Sequence, residues 1–409
     1  MTKIKHTTPQ NSSTATKKEK TASAVNAKKK GTDLKLDRWF LTHFSVPCPY
    51  DGFRAEFEAL NDSENPWMEE NKKKNPYIAW NIVGGETKTL KVNAQKIPCP
   101  NGGSGFIACE GPTLTSVYDF WTLVYQEKVD KVLSLNFPFE ERYYPNNYSA
   151  EHETIRYWPT EAGEVLYFMP YKVTCLSSVF KYAPNEMSVD NKNTIYRLSR
   201  LILTFINPVT GPMPDSVREV VHVCYLRWPD GRIPMPWPPD NDTFSEAGLR
   251  LLDTITEELK PETGGPSLVH CHAGLGRTGA AIALVQCLHQ YQLSSTVNIW
   301  GCVERMREFR SRMVMNHWQY AFINLVFAEK MLSIGHLTAY CGGYDVRALL
   351  RSTWKRLESE LNRAFEGQPP LQMFEAETVQ WKIFAEQLSS SKAYQLESCQ
   401  EEETIVELG

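Results

Sequence analysis

One segment of the chain combines a thiol, a guanidinium and two glycines at a spacing suited to holding a phosphate. Cys271 is followed six residues later by Arg277, and no carboxylate lies between them. Glycines let backbone amides turn toward an anion, and the planar guanidinium matches two phosphate oxygens. We therefore predict a phosphate-binding loop with a nucleophilic cysteine at its base, formed by His272, Ala273, Gly274, Leu275 and Gly276.

The sequence on either side predicts where this loop lies. Residues 267–270 have the composition of a short buried strand, and residues 280–288 that of a buried helix. A loop entering a helix N-terminus meets unpaired amides and the positive end of the helix dipole. That field is expected to lower the pKa of Cys271 from about 8.5 into the range of about 3.5–7.5. The Thr278 hydroxyl is expected to donate to the sulfur; the alternative is that Cys271 is an ordinary buried cysteine.

The cysteine–arginine spacing is a weak signal by itself. Segments 48–54 and 341–347 have the same spacing, but each contains an aspartate where an anion would have to lie. The first also contains a proline, which has no amide proton to donate. Only the segment that begins at Cys271 has a composition compatible with a bound phosphate.

A second segment offers an acid. Asp230 follows Trp228 and Pro229 and precedes a proline-rich stretch, so we expect it on a loop able to close over a ligand. In that place Asp230 would protonate a leaving oxygen and later deprotonate the water that hydrolyses a phosphocysteine. For Asp230 taken alone, a solvated turn aspartate is the alternative.

Together these segments resemble those of the tyrosine-specific, cysteine-dependent protein tyrosine phosphatases. The chain resembles a divergent, non-receptor member of that family. Further matching segments follow in the family order: 71–77, 106–121, 157–159, 218–225, 307–314 and 319–322. The resemblance implies an α/β fold with a strongly twisted mixed β-sheet flanked by helices, here with a helical C-terminal extension. It also implies hydrolysis of phosphotyrosine in proteins through a phosphocysteine, with no metal and no cofactor.

The resemblance assigns roles to particular residues. Cys271 would be the nucleophile, Arg277 the phosphate clamp and Asp230 the general acid. Tyr77 would wall a slot deep enough to favour a phenyl phosphate, and His270 would bond to nearby backbone and hold the cysteine in place. The substrate-binding set would add residues 272–276 and Gln319, with Thr278, Trp228 and Pro229 in support.

The chain departs from the family pattern at several positions. Met315 and Asn316 stand where the family has Gln-Thr, and that glutamine orients water in the second step, although Gln319 keeps a second glutamine. Ala79 replaces an acid that grips the substrate backbone, and Glu153 replaces a lysine near the mobile loop. His272 occupies a position that is usually serine. We therefore expect an active but slow phosphatase.

A binding scaffold and a phosphoinositide phosphatase are the two alternative functions. A phosphotyrosine-binding scaffold with little turnover would keep the loop and trap phosphoproteins. A phosphoinositide phosphatase would use the same chemistry, but such enzymes commonly carry lysines in the loop, and residues 272–276 contain none.

The 409 residues divide by composition into three parts. Residues 1–36 predict a basic disordered tail, 37–335 the phosphatase domain, and 336–409 a helical extension with an acidic tail. Asp345 is a candidate N-cap, and the apolar residues after it predict an amphipathic helix of about 20 residues, followed by a weaker second one. We expect both helices to pack on the domain; the alternative is that they bind a protein partner.

Composition limits the remaining functions. Net charge is −4 and hydrophobic content 42%, so nothing favours nucleic-acid binding, and no long apolar run predicts a transmembrane segment. The N-terminus lacks the apolar core of a signal peptide. The ten cysteines are scattered without metal-ligand spacing, and a reactive thiolate needs a reducing compartment, which favours the cytoplasm.

Overall fold

The structure is a computed structural model. It describes residues 32–62, 78–80, 87–100, 102–103, 105–136, 154–182, 194–207, 211–236, 243–259 and 265–366. The calls on Tyr77, on Glu153, on most of the basic tail and on the second C-terminal helix lie outside these residues.

The strands, in chain order, form one large sheet and three small two-stranded ones within the described ranges. They are β1 Leu34–Lys35, β2 Ile78–Trp80, β3 Thr87–Thr89, β4 Ala94–Ile97, β5 Phe106–Glu110, β6 Lys131–Ser134, β7 Val165–Phe168, β8 Tyr171–Tyr182, β9 Thr194–Asn207, β10 Gly211–Tyr225, β11 Ser267–Cys271, β12 Thr296–Val297, β13 Tyr340–Cys341 and β14 Tyr344–Asp345. The large sheet has eight strands in the order β4-β5-β11-β6-β10-β9-β8-β7.

The middle of this sheet is parallel and its edges are antiparallel. Strands β5, β11, β6 and β10 run parallel to one another, whereas β4 at one end and β9, β8 and β7 at the other pair antiparallel. Because parallel neighbours share a carboxyl edge, residues at the ends of β5, β11 and β6 lie together. Cys271 is one of them.

Helices cover both faces of the sheet. They are α1 Leu36–Phe44, α2 Pro49–Asp62, α3 Val117–Gln126, α4 Phe244–Glu258, α5 Gly276–Ser294, α6 Ile299–Phe309, α7 His317–Ser333 and α8 Val346–Ala364. Buried side chains of α3 pack on one face, and those of the other helices pack on the opposite face. The mixed sheet flanked by helices that the resemblance implied is confirmed.

The elements next to the phosphate loop follow the sequence closely. All five residues of β11 are buried because the strand lies between β5 and β6 and is covered on both faces. The predicted helix at 280–288 is part of α5, which begins at Gly276. The family-matching segment 218–225 is part of the longer β10, whose last residues are buried between β6 and β9.

The first helix of the C-terminal extension is confirmed and packs on the rest of the fold. Asp345 caps α8, because its carboxylate accepts a hydrogen bond of 3.0 Å from the Ala348 amide. The apolar face of α8 is buried against α7, and the Trp354 indole donates to Glu329 at 3.1 Å. In the ranges that the structure describes, no helix is long and apolar enough to cross a bilayer. None of the cysteines in those ranges belongs to a disulfide.

Candidate active site

Cys271 ends the central strand β11, at the carboxyl edge of the parallel strands. Its side chain is 3% exposed. The chain then bends through four residues and enters α5 at Gly276, so Arg277 lies in the first turn of the helix. The structure therefore brings the thiol, the loop and the helix N-terminus together as the sequence predicted.

Two glycines allow the loop to pass close to its neighbours. Gly274 has a φ of +65°, and a Cβ there would lie 2.1 Å from the backbone oxygen of Cys109 on β5. A Cβ on Gly276 would lie 2.9 Å from the Gln319 Oε1 atom. A larger residue at Gly274 would push the loop away from β5, and one at Gly276 would displace the end of the Gln319 side chain.

A buried arginine orients the backbone of the loop. The Arg310 Nε and Nη2 atoms donate to the carbonyl oxygens of Gly274 and Ala273 at 2.8 and 2.7 Å. In a trans peptide the carbonyl and the next amide point in opposite directions, so the amides of Gly274 and Leu275 face the other side of the loop. Arg310 lies in the segment 307–314 that matches the family, and the sequence alone did not indicate this role for it.

The segment that carries Asp230 is docked on Arg277. The guanidinium donates from Nη1 to the Trp228 carbonyl at 2.8 Å and from Nη2 to the Asp230 carboxylate at 3.1 Å. Arg277 is buried, whereas the Asp230 side chain keeps 20% of its surface exposed. The Trp228 ring is buried and donates to the Arg232 carbonyl at 2.8 Å, and the Pro229 carbonyl accepts from the Arg232 amide.

The start of α7 holds the same segment from the other side. The Asn316 Nδ2 atom donates to the Gly231 carbonyl at 2.9 Å, while its Oδ1 atom caps α7 by accepting from the Gln319 amide. The Gln319 Nε2 atom donates to the Arg232 carbonyl at 3.3 Å, and its Oε1 atom accepts from the Met315 amide at 3.1 Å. Asn316, which the sequence showed only as part of a departure from the family, is thus a structural contact to the acid-bearing loop.

A buried chain of three polar side chains lies behind Cys271. The Tyr157 hydroxyl is 2.5 Å from His270 Nε2 and 2.6 Å from His222 Nε2. Burial lowers the pKa of His270 to about 3 and holds that of His222 well below its usual range. Both imidazoles are therefore neutral at neutral pH. The resemblance implied backbone partners for His270, and the Tyr157 hydroxyl contacts its Nε2 atom in addition.

The His272 side chain is engaged beside the loop. Its Nδ1 atom lies 3.1 Å from the Thr154 hydroxyl and 3.5 Å from the Asn136 Nδ2 atom. A substrate contact by His272 therefore stays a prediction.

Three further residues that the sequence analysis discussed lie as follows. Among the described residues the Thr278 hydroxyl is buried and has no hydrogen-bond partner, so the expected bond to the Cys271 sulfur is not formed. Met315 is 36% exposed next to Gly276. Ala79 lies on β2, paired with Lys88 of β3.

The two other segments with the same cysteine–arginine spacing form different structures. Residues 49–54 belong to α2, and residues 341–347 run from β13 through β14 into α8. Neither leads from a parallel strand into a helix N-terminus.

The sequence of this chain matches a known protein family. The family model described as protein-tyrosine phosphatase matches residues 47–329, which is more than half of the chain. The chain belongs to the protein-tyrosine phosphatase family. The matched range contains Cys271, Arg277 and Asp230.

Similar proteins include receptor-type phosphatases. The chain is 29% identical over 288 residues to the Lar-like tyrosine-protein phosphatase of Caenorhabditis elegans, covering 67% of this chain and 11% of that protein. It is 26% identical over 315 residues to the human receptor-type tyrosine-protein phosphatase zeta, covering 69% and 12%. The chain thus spans about a tenth of the length of these relatives.

Solved structures show the same fold. A structure of PTPN18 in complex with HER2 phosphopeptides superposes with a TM-score of 0.53 and covers 72% of this chain and 99% of that chain. Sequence identity is 20%, so this likeness shows the protein-tyrosine phosphatase fold alone.

Proposed function

We propose that this protein hydrolyses phosphotyrosine in proteins through a phosphocysteine intermediate. Cys271 is the nucleophile, Arg277 the phosphate clamp and Asp230 the general acid and base. The observation that supports this most strongly is the double contact of the Arg277 guanidinium with the Trp228 carbonyl and the Asp230 carboxylate. Asp230 therefore lies beside the group that would hold the phosphate.

In the first step the Cys271 thiolate attacks phosphorus. The sulfur–phosphorus bond forms, the bond from phosphorus to the phenolic oxygen breaks, and that oxygen takes a proton from the Asp230 carboxyl group. Arg277 and the amides that Arg310 turns inward hold the non-bridging oxygens, whose charge they stabilise in the transition state.

In the second step water attacks the phosphorus of the phosphocysteine. The sulfur–phosphorus bond breaks, Asp230 accepts the proton of the water, and phosphate leaves. The family glutamine that orients this water is Met315 here, and both ends of the Gln319 amide are bonded to backbone groups. We therefore infer that the second step is slow in this protein.

The depth of the nucleophile supports an aryl phosphate as substrate. Because Cys271 is 3% exposed, its sulfur is reached by a phosphate at the end of a long, flat side chain more readily than by a short serine phosphate. We assign the wall of that slot to Tyr77. The PTPN18 structure contains HER2 phosphopeptides, which fits a phosphotyrosine protein as the partner of this chain.

We also propose the division into a basic tail, a phosphatase domain and a helical extension. The predicted end of the tail at residue 36 moves to before Leu34, because β1 pairs with β12 and Leu36 is buried in α1. A thiolate nucleophile requires a reducing compartment, which supports a cytoplasmic site of action. A protein partner, if the extension binds one, would contact residues beyond α8, because the apolar face of α8 is already buried.

The test is hydrolysis of p-nitrophenyl phosphate by the wild type, Cys271→Ser and Asp230→Ala. We expect phenol release by the wild type, inhibition by vanadate, and no turnover by Cys271→Ser. Equal rates for wild type and Cys271→Ser would overturn the proposal. A burst of about one phenol per protein followed by a halt would instead identify a phosphoprotein trap.

Asp230→Ala separates the role of the acid from that of the clamp. It should lose turnover while still binding vanadate, and it should capture phosphotyrosine proteins. An Asp230→Ala variant with wild-type turnover would remove Asp230 from the mechanism.

A further inference from the structure

An apolar cavity lies at the opposite end of β11 from Cys271. Its volume is about 280 Å³, and Ser267, the first residue of β11, lines it. Cys271 is four residues further along, about 13 Å at the rise of a β-strand. The walls come from the start of β5, the end of α4 and the second half of α5, with Phe106, Ile255, Leu259, Val285 and Leu288 as the large apolar side chains.

A thiol and an imidazole meet on the wall of this cavity. The Cys99 Sγ atom is 3.2 Å from the His289 Nδ1 atom, and both residues line the cavity and are partly buried. Burial lowers the pKa of His289, so the ring is neutral at neutral pH. A neutral imidazole with its proton on Nε2 accepts the thiol proton at Nδ1, as a general base does for a nucleophile.

The backbone around Cys99 is held in place. The buried Gln286 side chain donates to the Pro98 carbonyl at 2.9 Å, and the Gly102 amide donates to the Cys99 carbonyl at 3.1 Å. Gly105 closes the turn with a φ of +71°, and a Cβ there would lie 2.7 Å from the Ile97 carbonyl oxygen. The thiol is therefore presented from a fixed position, as a reactive group requires.

The lining of the cavity indicates what it would hold. Among the described residues, no lysine, arginine, aspartate or glutamate lines it. Against these described residues, an anionic or zwitterionic ligand would lose hydration without gaining a partner of opposite charge. At about 280 Å³ the cavity is slightly smaller than the usual range for ligand sites, which starts at about 300 Å³. A chain of methylene groups of limited length fits both the polarity and the size.

We propose that Cys99 is an S-acylation site that accepts the acyl group of a medium-chain acyl thioester, with the acyl chain seated in this cavity. The thiol proton moves from Cys99 to His289 Nδ1 as the sulfur attacks the thioester carbonyl. The carbon–sulfur bond of the donor then breaks, and the departing thiolate takes the proton from His289. The products are a thioester on Cys99 and a thiol, with no change in oxidation state.

The chain supplies a matched control thiol. Cys48 is the other cysteine of the described residues that is partly exposed, and it lies immediately before α2. It does not line the cavity. A thioester that acylates surface thiols without selection would modify Cys48 as readily as Cys99.

The experiment incubates the full chain with octanoyl-, decanoyl- and palmitoyl-coenzyme A and follows intact mass and the modified peptide. We expect one acyl group on Cys99 in the wild type and in Cys48→Ser, removable by hydroxylamine, and none on that peptide in Cys99→Ser. His289→Gln should slow the reaction at least tenfold, and the palmitoyl donor should react more slowly than the decanoyl donor. Cys99→Ser should keep wild-type turnover of p-nitrophenyl phosphate.

Two outcomes would overturn the proposal. One is the absence of a Cys99 adduct, and the other is an adduct that forms at the same rate with every acyl chain length and in His289→Gln. The second outcome would mean an ordinary surface thiol. If His289→Gln proved unstable by thermal melting, protection of wild-type Cys99 by unreactive 1-decanol would serve as the decisive measurement. Protection supports a seated chain, and its absence refutes one.

Discussion

Arg310 orients the backbone of the phosphate loop from the side that faces away from the phosphate. The variant Arg310→Lys tests whether this orientation is needed for phosphate binding. Its guanidinium bonds the carbonyls of Gly274 and Ala273 at once. Lysine keeps the charge but cannot form this fork. A hydrogen bond from a charged donor contributes about 1.5–3 kcal/mol, so the loss of one bond costs about 2 kcal/mol. If this free energy is lost from the phosphate-binding conformation of the loop, the affinity for a phosphate-like anion drops about 30-fold.

The measurement is vanadate inhibition together with the free energy of unfolding from urea titration. Arg307→Lys is the matched control, because Arg307 is equally buried and donates to two backbone carbonyls, those of Met313 and Val314. These carbonyls lie outside the phosphate loop. We expect both variants to lose similar stability, and only Arg310→Lys to lose the full 30-fold in vanadate affinity.

A stability loss in Arg310→Lys as large as in Arg307→Lys, with wild-type vanadate affinity, would refute the reasoning. The arginine would then act only as packing beneath the loop. A circular dichroism spectrum of each variant at the assay temperature excludes simple unfolding as the cause of lost binding.

Three further results are expected. Tyr157→Phe should lower the free energy of unfolding in urea by about 1–3 kcal/mol, because His270 and His222 both lose their hydroxyl partner. Gly274→Ala should abolish vanadate binding, since its Cβ would meet the Cys109 carbonyl at 2.1 Å in a backbone region with positive φ. Stability should also fall with acidity: folded His270 resists protonation down to its pKa of about 3, whereas the unfolded chain takes up that proton near about 6.5. The contribution of neutral His270 to the free energy of unfolding is thus fully present above about pH 6.5. Urea titration at pH 5 should give a free energy of unfolding about 2 kcal/mol lower than at neutral pH.

The sequence predicted the parts of the site that depend on local pattern. The strand that ends at Cys271, the helix that begins near Arg277 and the cap at Asp345 each follow from residues adjacent in the chain, and the structure confirms all three. Hydrophobic periodicity and capping residues act over a few positions, so they can be read without knowledge of the fold.

Contacts between distant segments could not be predicted in this way. The bond from Arg310 to the Gly274 carbonyl spans 36 positions, and that from Asn316 to the Gly231 carbonyl spans 85. Arginine and asparagine are common on surfaces, and only the packing of α6 and α7 beneath the loop turns these two inward. Asn316 therefore appeared in the sequence as a departure from the family, while in the structure it secures the segment that carries Asp230.

The position of that segment bears on how the proposed acid works. Asp230 and the phosphate would compete for the Nη2 edge of Arg277, since the carboxylate already occupies it. When a phosphate dianion takes that edge, the Asp230 carboxylate loses its ion pair with Arg277. The segment must then stay in place without the ion pair. The bonds from Arg277 to the Trp228 carbonyl and from Asn316 to the Gly231 carbonyl involve only backbone on the loop side, so they survive the exchange and hold Asp230 at the leaving oxygen.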